Sequence, residues 1–157
     1  MKKDFLIRPL EAGDADAIET FFDRLDGEAR VFFDTGGYNR LRFQNYFQGK
    51  VEHFDCFVAV EPDSQLIAGM VFLNDADKLV PMLGIGIDNA YAGCGLGIQL
   101  MEYIHSYARS RGIGGILLNV HYGNTKAQNL YMKMGYELIG HSKMCQMMYI
   151  KRFTADN

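Results

Sequence analysis

The sequence contains few of the residues that cross-link small proteins or bind metal ions. Only three of its 157 residues are cysteines, an odd number at wide spacing, and its four histidines are equally scattered. A disulfide framework needs paired cysteines, and a zinc site needs cysteine and histidine at short, regular spacing. We therefore expect free thiols at Cys56, Cys94 and Cys145, and no metal site.

Long apolar runs are also missing. No run of eighteen apolar residues occurs, and Met1-Lys2-Lys3-Asp4 is not followed by the apolar core of a secretory signal. These absences predict a cytoplasmic protein with no membrane partner. The formal net charge is −3, which argues against nucleic acid as a partner and weakly favours small or cationic ones.

Proline-rich and low-complexity linkers are absent as well, since the chain has only three prolines. With 48% apolar and 22% charged residues, its composition is typical of a soluble globular protein. A chain of this length can bury roughly two-thirds of its unfolded surface in one core. The sequence therefore predicts a single domain, residues 1–157.

The first half of the chain predicts a strand, two helices and a three-stranded meander. The strand covers 5–10 and ends near Pro9, and Asp14 is a suitable N-cap for a helix with apolar residues every three or four positions. A second helix is predicted near 39–47, within an aromatic-rich stretch from 28 to 49 that forms either core or a ligand pocket. Polar turns join the three strands, which are predicted at 54–60, 66–73 and 79–87.

The second half predicts a strand–helix–strand unit with parallel strands, followed by a short helix and two strands. The helix after residue 95 carries a broad apolar face and ends at Gly112, and the apolar run 116–121 has the length of a buried strand. Asn124 is a good N-cap for the short helix, which Gly135 closes. The last two strands are predicted at 136–139 and 143–153.

Glycines interrupt the chain where the meander gives way to the long helix. They stand at Gly93, Gly95 and Gly97, in the run Tyr91-Ala92-Gly93-Cys94-Gly95-Leu96-Gly97-Ile98. Because glycine has no side chain, successive backbone N–H groups there can point at an anion, and the helix start adds unpaired donors. The run predicts a cradle for a diphosphate. A dinucleotide-binding fingerprint fits poorly, because the spacing is Gly-x-Gly-x-Gly and residues 111–119 contain no acid.

A second motif follows, Asn124-Thr125-Lys126-Ala127-Gln128-Asn129-Leu130-Tyr131-Met132-Lys133-Met134-Gly135-Tyr136. It matches without a gap a signature of the GCN5-related N-acetyltransferases, Asn-x-x-Ala-x-x-Leu-Tyr-x-x-x-Gly-Phe or Tyr. The glycine run resembles the same family's pattern of Arg or Gln, two residues, Gly, one residue, Gly or Ala. The resemblance covers nearly the whole chain and implies the family's α/β fold. That fold is a mixed, mostly antiparallel sheet with splayed central parallel strands, flanked by helices.

The resemblance implies an N-acetyltransferase that moves an acetyl group from acetyl-CoA, its cosubstrate, directly to an amine. It implies that Ile85, Gly86 and Ile87, on a bulged strand, pair with the pantetheine arm, and that one N–H there polarises the thioester carbonyl. The diphosphate would be held by Ala92, Gly93, Cys94, Gly95, Leu96, Gly97 and Ile98. By position Tyr131 resembles the general acid that protonates the departing thiolate, the alternative being a packed core tyrosine. Asn124 either caps its helix only or also reaches the cofactor.

Two departures from the family pattern bear on function. Ala92 replaces the usual Arg or Gln, so one side-chain contact to the cofactor is absent. No carboxylate stands on the strand before the cradle to take a proton from the amine, and no general base is assigned among the candidates Asp75, Glu28, His121 and Asp88. The alternative function is therefore a non-catalytic acyl-CoA-binding sensor or scaffold. The acceptor would be a small-molecule or peptide amine, and strand pairing between subunits would allow a homodimer.

Overall fold

The computed structural model describes residues 3–142 and 145–154. Within these residues, seven strands and five α-helices follow one another as β1 (Leu6–Pro9), α1 (Ala15–Arg24), α2 (Gly27–Phe33), α3 (Tyr38–Phe47), β2 (Asp55–Val60), β3 (Ile67–Asn74), β4 (Met82–Ile87), α4 (Leu96–Ser110), β5 (Gly115–His121), α5 (Thr125–Lys133), β6 (Glu137–Ser142) and β7 (Gln146–Arg152). Short 3-10 turns cover Ala12–Asp14, Thr35–Gly37 and Asn89–Tyr91.

The strands form one sheet in the order β1-β2-β3-β4-β5-β7-β6. Neighbouring strands are antiparallel except for β4 and β5, which are parallel and are connected through α4. The predicted meander and the predicted strand–helix–strand unit are both confirmed. The sheet is therefore mixed and mostly antiparallel, as the resemblance implied.

Helices cover both faces of the sheet. Successive residues of a strand point to opposite faces, so each face has its own set of side chains for the helices to pack on. One core cluster joins the sheet to α4 through Leu100, Met101 and Ile104. The other joins the opposite face to the first helices of the chain through Ile18, Phe21, Phe22 and Phe43. Full burial of one such side chain stabilises the fold by about 1.5–3 kcal/mol. The apolar periodicity of α1 and α4 thus decides which side of each helix meets the sheet.

The aromatic stretch is mostly core. Phe33 stacks on Phe22 with ring centroids 5.9 Å apart, and Phe43 meets the edge of Phe72 at 5.6 Å. Tyr38 is an exception, with 65% of its surface exposed. Helix α2, which the sequence pattern did not predict, is only seven residues long. It is held by these aromatic contacts rather than by an apolar stripe of its own.

Several boundaries differ from the predictions. β4 begins at Met82 rather than at 79, and Leu79 is 70% exposed. Asp14 precedes α1 as predicted, but its carboxylate accepts two hydrogen bonds from the Arg8 guanidinium, at 2.8 and 2.9 Å, instead of capping the helix. β6 extends to Ser142, beyond the predicted end at 139. The predicted start of the last strand, Lys143, lies outside the described residues.

The ends of α4 and α5 agree with the predictions. Gly112 and Gly135 follow these helices with φ of +72° and +92°. At the second end the Tyr136 N–H donates to the Tyr131 carbonyl at 3.0 Å, which is the long hydrogen bond of a Schellman motif. This bond fixes where β6 begins relative to Tyr131.

The three cysteines are free thiols, as expected. Nowhere in residues 3–142 and 145–154 do three or more His, Cys, Asp or Glu side chains lie together in a way that could hold a metal ion. None of the helices in that part of the chain is long and apolar enough to cross a bilayer.

Candidate active site

The two parallel strands of the sheet separate directly after they meet. Among the described residues their ladder consists of one bridge, between Met82 and Leu117, where the Leu117 N–H donates to the Pro81 carbonyl at 2.9 Å. Each strand then continues, β4 to Ile87 and β5 to His121, while its other edge stays paired. The implied splay is therefore present, and it opens a gap between the C-terminal ends of β4 and β5.

Backbone groups of β4 point into this gap. In an antiparallel ladder, the backbone groups of alternate residues point to alternate sides of the strand. The Asp88 N–H donates to the Ala68 carbonyl on β3 at 2.9 Å. Because Gly86 lies two residues earlier, its backbone groups also face β3. Those of Ile85 and Ile87, two of the three residues predicted to pair with the pantetheine arm, therefore face β5.

Gly86 has a packing role that the sequence did not predict. A Cβ at this position would lie 2.5 Å from the Phe33 ring of α2, and a Cβ at Gly84 would lie 2.2 Å from Phe72. These glycines let aromatic rings pack directly on β4, and the backbone groups of Gly86 face β3 rather than the gap. The ladder with β3 is also regular from 82 to 87, so the implied bulge is absent from it.

The glycine run forms the entrance to α4. Gly93 and Gly95 have φ of +77° and +80°, a region that residues with a Cβ rarely adopt. Helix α4 begins at Leu96, and its first backbone hydrogen bond runs from the Gln99 N–H to the Gly95 carbonyl at 3.2 Å. The N–H groups of the three residues before Gln99 therefore have no partner within the helix. They are Leu96, Gly97 and Ile98, which the sequence assigned to the diphosphate.

A cleft of about 280 Å³ lies at this end of α4, and we call it the cradle cleft. Its walls are formed by Gly93, Gly95, Ile98, Gln99 and Glu102. Ala92 and Cys94 lie on the loop just before it, and the Cys94 carbonyl accepts a hydrogen bond from the Lys3 N–H at 3.1 Å. The start of the chain thus holds the loop that shapes the cleft.

Gly97 lets α4 come close to its neighbours. A Cβ there would lie 3.2 Å from the Leu130 side chain of α5 and 3.5 Å from that of Ile87. The absence of a side chain at Gly97 therefore draws the cradle, α5 and the splayed end of β4 together. This close packing is a second reason for glycine at this position, besides the anion cradle.

Helix α5 carries the remaining predicted residues. The Asn124 Oδ1 accepts a hydrogen bond from the Ala127 N–H at 3.3 Å, so the predicted cap is confirmed. Tyr131 is 6% exposed, and its ring centroid lies 5.9 Å from that of Tyr136. Burial raises the pKa of the Tyr131 phenol above its ordinary value. Its hydroxyl therefore keeps a proton at neutral pH, as a general acid must.

A buried ion pair fixes the junction between β4 and the cradle. Asp88 is 3% exposed, and its Oδ2 accepts a hydrogen bond from the Arg24 Nε of α1 at 2.7 Å. Its Oδ1 accepts one from the Ala90 N–H at 3.0 Å, while Arg24 also donates to the Ile67 carbonyl at 2.8 Å. A carboxylate engaged in this way does not take a proton from a substrate, so Asp88 is a structural anchor rather than a base.

We expect Asp88→Ala to lower the free energy of unfolding by about 2–3 kcal/mol, because it leaves Arg24 without its counter-charge. The loss falls below that for a fully buried pair because Arg24 is partly exposed. Urea denaturation measures it. Glu137→Ala, which removes one partner of an exposed contact with Arg152, is the control and should stay within about 0.5 kcal/mol. Equal losses in the two variants would contradict the anchoring role.

The other candidate bases are not brought into position either. Asp75 pairs with Lys78 at 3.6 Å in the turn before β4, at the far end of that strand from the cradle. Glu28 is exposed on α2. His121 ends β5 beside the gap, but its Nδ1 accepts the Gly123 N–H at 2.9 Å. That nitrogen is therefore already engaged by the backbone.

Sequence reasoning missed two features of this region. The Phe32 ring of α2 lies against His121, with centroids 5.3 Å apart, so α2 reaches the end of β5. The His105 Nε2 of α4 lies 2.8 Å from the Tyr136 hydroxyl, and His105 is 4% exposed. Burial, followed by the charges of Lys151 and Arg109, lowers the pKa of His105 to about 4. The position of His105 within the apolar stripe of α4 was the sequence signal that could have revealed its burial.

We expect the stability of the protein to fall as the pH is lowered from about 6.5 to about 4. In this window the unfolded chain protonates His105 near its ordinary pKa of 6.5, whereas the folded state keeps it neutral. The unfolded state thus binds more protons, and the slope from this one group is at most about 1.4 kcal/mol per pH unit. Urea denaturation of the parent and of His105→Gln, which does not titrate, checks this. A stability difference between the two that does not change with pH would contradict the prediction.

Residues 18–136 match the model of a family described as the acetyltransferase (GNAT) family. The chain belongs to this family. The matched segment runs from α1 to the start of β6 and so contains the splayed strands, the cradle cleft and α5. Acyl transfer is the reaction of GNAT proteins, and acetyl-CoA is the donor typical of them.

Curated relatives of this GNAT chain are acetyltransferases. The mycothiol acetyltransferase of Thermobifida fusca is 32% identical over 124 residues, which are 70% of this chain and 38% of that protein. The mycothiol acetyltransferase of Rhodococcus erythropolis is 34% identical over 88 residues, which are 54% of this chain and 29% of that protein. The GNAT chain thus spans less than two-fifths of the length of these relatives.

Solved structures share the fold. The GNAT domain of S. lividans PAT matches with a TM-score of 0.82 at 17% identity, covering 95% of this chain and 90% of that one. A ribosomal alpha-N-protein acetyltransferase in complex with coenzyme A matches with a TM-score of 0.81 at 14% identity, covering 99% and 97%. At these identities the likeness establishes the fold alone.

Proposed function

We propose that this GNAT protein is an N-acetyltransferase that moves an acetyl group from acetyl-CoA to a primary amine. The observation that carries the proposal is the splay of β4 from β5 next to the start of α4, where Gly97 packs against Ile87 at the end of β4. A diphosphate in the cradle cleft and an extended arm in the gap are two parts of one ligand, and coenzyme A has both. The family assignment and the coenzyme A complex among the similar structures support the same donor.

Binding would rest on backbone groups. The unpaired N–H groups at the start of α4 suit a diphosphate, because the helix dipole there also favours negative charge. The dipole alone contributes only about 0.3–1 kcal/mol, so several directed N–H donors must supply most of the affinity. Ala92 adds no charged contact, which makes the chain depend more on these donors. Along β4, Ile85 and Ile87 would pair with the amides of the pantetheine arm.

Bound acetyl-CoA would supply a thioester whose carbonyl carbon the amine attacks. An N–H of Ile85 or Ile87 would donate to the thioester oxygen as negative charge develops there, and such a donor typically contributes about 3–4 kcal/mol to lowering the barrier. Tyr131 would give its proton to the sulfur as the carbon–sulfur bond breaks. The amine would lose its own proton to water, since no side chain is assigned as its base, and the Tyr131 phenolate would take a proton back from water.

The acceptor would enter beside α2. Phe33 covers Gly86 on this side of β4, and Phe32 lies against His121 at the end of β5. An amine that reaches the gap must therefore pass an aromatic wall, which favours an acceptor with an apolar portion. Because the curated relatives are named mycothiol acetyltransferases, mycothiol-type acceptors should be among the first amines tested, together with amino-acid and peptide amines.

Calorimetric titration with acetyl-CoA, followed by a thiol-release assay with the amine panel, tests the proposal. Saturable binding at one site and release of coenzyme A that depends on an amine would support it. Binding without turnover on any amine would favour the sensor or scaffold alternative. That alternative is suggested by Ala92 and by the absence of an assigned base. An absence of binding would overturn both.

A further inference from the structure

Half of one sheet face is not packed against helices. The core cluster that joins α1 and α3 to the sheet takes its strand residues from β2 and β3, and none from the described residues of β5, β6 and β7. Three residues of β5 belong to the opposite cluster, with α4 and α5: Ile116, Leu118 and Val120. Because successive strand residues point to opposite faces, Asn119 and His121 lie on the other side. We call this side of β5, β7 and β6 the open face.

Polar side chains gather at one end of the open face. Gln146 of β7 lies directly opposite His121, so the two share a face, and Asn119 is their diagonal neighbour. We call these three residues the polar patch. The residues that separate or follow them on this face are apolar: Met148, Leu117 and Ile150. A face that merely met water would be polar along its whole length, so the position of the patch calls for another reason.

The polar patch has hydrogen-bonding groups that the protein leaves unused. Within residues 3–142 and 145–154, neither the Asn119 nor the Gln146 side-chain amide forms a hydrogen bond. His121 accepts the Gly123 N–H at its Nδ1, and the Phe32 ring lies against its imidazole. Each amide offers one acceptor oxygen and two donor hydrogens. The patch can therefore bind a group that both donates and accepts hydrogen bonds.

The two amides are uncharged, and no charge on the open face lies near them. Within the described residues, the charged side chains of this face are Glu137 and Arg152, which approach each other to 3.6 Å. From Gln146 to Arg152 the strand rises about 20 Å. An ammonium or carboxylate at the patch would lose water without gaining an opposite charge. A hydroxyl or an amide would exchange its hydrogen bonds with water for bonds to the patch.

The polar patch borders the gap between the two parallel strands. β4 and β5 meet at Met82 and Leu117. Asn119 and His121 lie beyond this bridge, about 7 and 13 Å further along β5, level with the part of β4 that has separated. Phe32 of α2 reaches the same place through its contact with His121. An acceptor that enters beside α2 therefore passes over the patch before its amine reaches the gap.

We propose that the polar patch selects the acceptor, and that Asn119 and Gln146 bind an uncharged hydroxyl or amide group which the acceptor carries beyond its amine. This rests on the proposed function, since it names the acceptor class of the same reaction. The class is a primary amine with one ammonium charge and a neutral hydrogen-bonding group. Diamines and amines with a free carboxylate lie outside it.

Four linear amines with a five-carbon chain test the proposal. They differ at the far end, which carries a hydroxyl, an amide, an ammonium or a carboxylate. A thiol-release assay with acetyl-CoA gives kcat/KM for each. Two hydrogen bonds to a neutral group are sufficient for a roughly tenfold preference, so we expect the hydroxyl and amide amines to exceed the other two by at least that factor. The ratio between these two shows which neutral group the patch prefers.

Two variants assign the preference to the patch. The double variant Asn119→Leu, Gln146→Met keeps the side-chain sizes and removes the hydrogen-bonding groups. It should raise KM for the hydroxyl amine about tenfold, with kcat and the affinity for acetyl-CoA little changed. Gln146→Glu adds a negative charge and should reverse the order, so that the diamine exceeds the hydroxyl amine. Gln48→Glu makes the same change at an exposed position after α3 and should keep the parent order.

The outcomes separate this inference from the proposed function. Equal kcat/KM for the four amines, a preference for a charged one, or an unchanged order in Gln146→Glu would overturn the role of the patch. If acetyl-CoA binds but none of the four amines is acetylated, the acceptor class is wrong and the donor assignment stands. If acetyl-CoA does not bind, the proposed function fails, and this inference fails with it.

Discussion

Gly95→Asp is expected to weaken acetyl-CoA binding by about 100-fold or more in calorimetric titration. The new carboxylate would stand at the N-terminus of α4, where it would compete with the diphosphate for the same N–H donors and repel its charge. A hydrogen bond to a charged group contributes about 1.5–3 kcal/mol, so the loss of two such bonds is sufficient for this effect. The substitution also places a Cβ at φ +80°, which costs the fold about 1–2 kcal/mol.

Two control variants separate charge from backbone strain. Gly95→Asn adds a side chain of the same size without the charge and should lose less affinity than Gly95→Asp. Gly49→Asp adds the same charge at a comparable φ of +75°, after α3, where a Cβ meets no atom within 4 Å. This variant should bind acetyl-CoA like the parent. Parent-like binding by Gly95→Asp would show that the cradle cleft is not the diphosphate site.

Tyr131→Phe is expected to lower kcat by about 100-fold or more while the KM for acetyl-CoA changes little. A positioned general acid typically contributes 10²- to 10⁴-fold, and phenylalanine keeps the ring but has no proton to give. Because a transition-state interaction is removed, the loss should fall on kcat rather than on binding. Steady-state kinetics on an accepted amine measure this, together with a calorimetric titration of the variant.

Tyr149→Phe is the matched control for this prediction. Tyr149 is 2% exposed and belongs to the same core cluster as Tyr131, but it lies on β7 rather than on α5. Its variant also loses one buried phenol and should keep kcat within a few fold. If Tyr131→Phe behaves in the same way, Tyr131 is a packed core tyrosine, and the thiolate must be protonated by water.

Much of the fold was predictable from local patterns. Apolar residues at helical spacing predicted the buried faces of α1 and α4, and the glycines at 112 and 135 predicted where α4 and α5 end. Aromatic packing was not predictable in the same way, because α2 has no periodic stripe and is held by rings on other elements, Phe22 of α1 and Phe72 of β3. Asp14 shows the same limit, since its local pattern predicted a cap but Arg8 on the neighbouring strand binds its carboxylate.

The candidate site likewise has some features that local patterns predicted and others that depend on contacts between elements. The cradle, Asn124 and Tyr131 belong to two short motifs, so the roles proposed for them could be derived from neighbouring residues. The packing role of Gly86 could not be predicted, because it depends on Phe33, more than fifty positions away in the sequence. The anchoring of Asp88 by Arg24 and the hydrogen-bond contact between His105 and Tyr136 also join residues from separate elements.

The sequence by itself determined the family, the order of helices and strands, and the two motifs. These depend on the periodicity, turn chemistry and residue types of contiguous segments. Only the tertiary structure decided which backbone groups of β4 are free, which carboxylates are already paired and which histidine is buried. Those properties depend on strand register and on contacts between elements, and a hydrogen bond or ion pair formed across the fold leaves no local pattern in the chain.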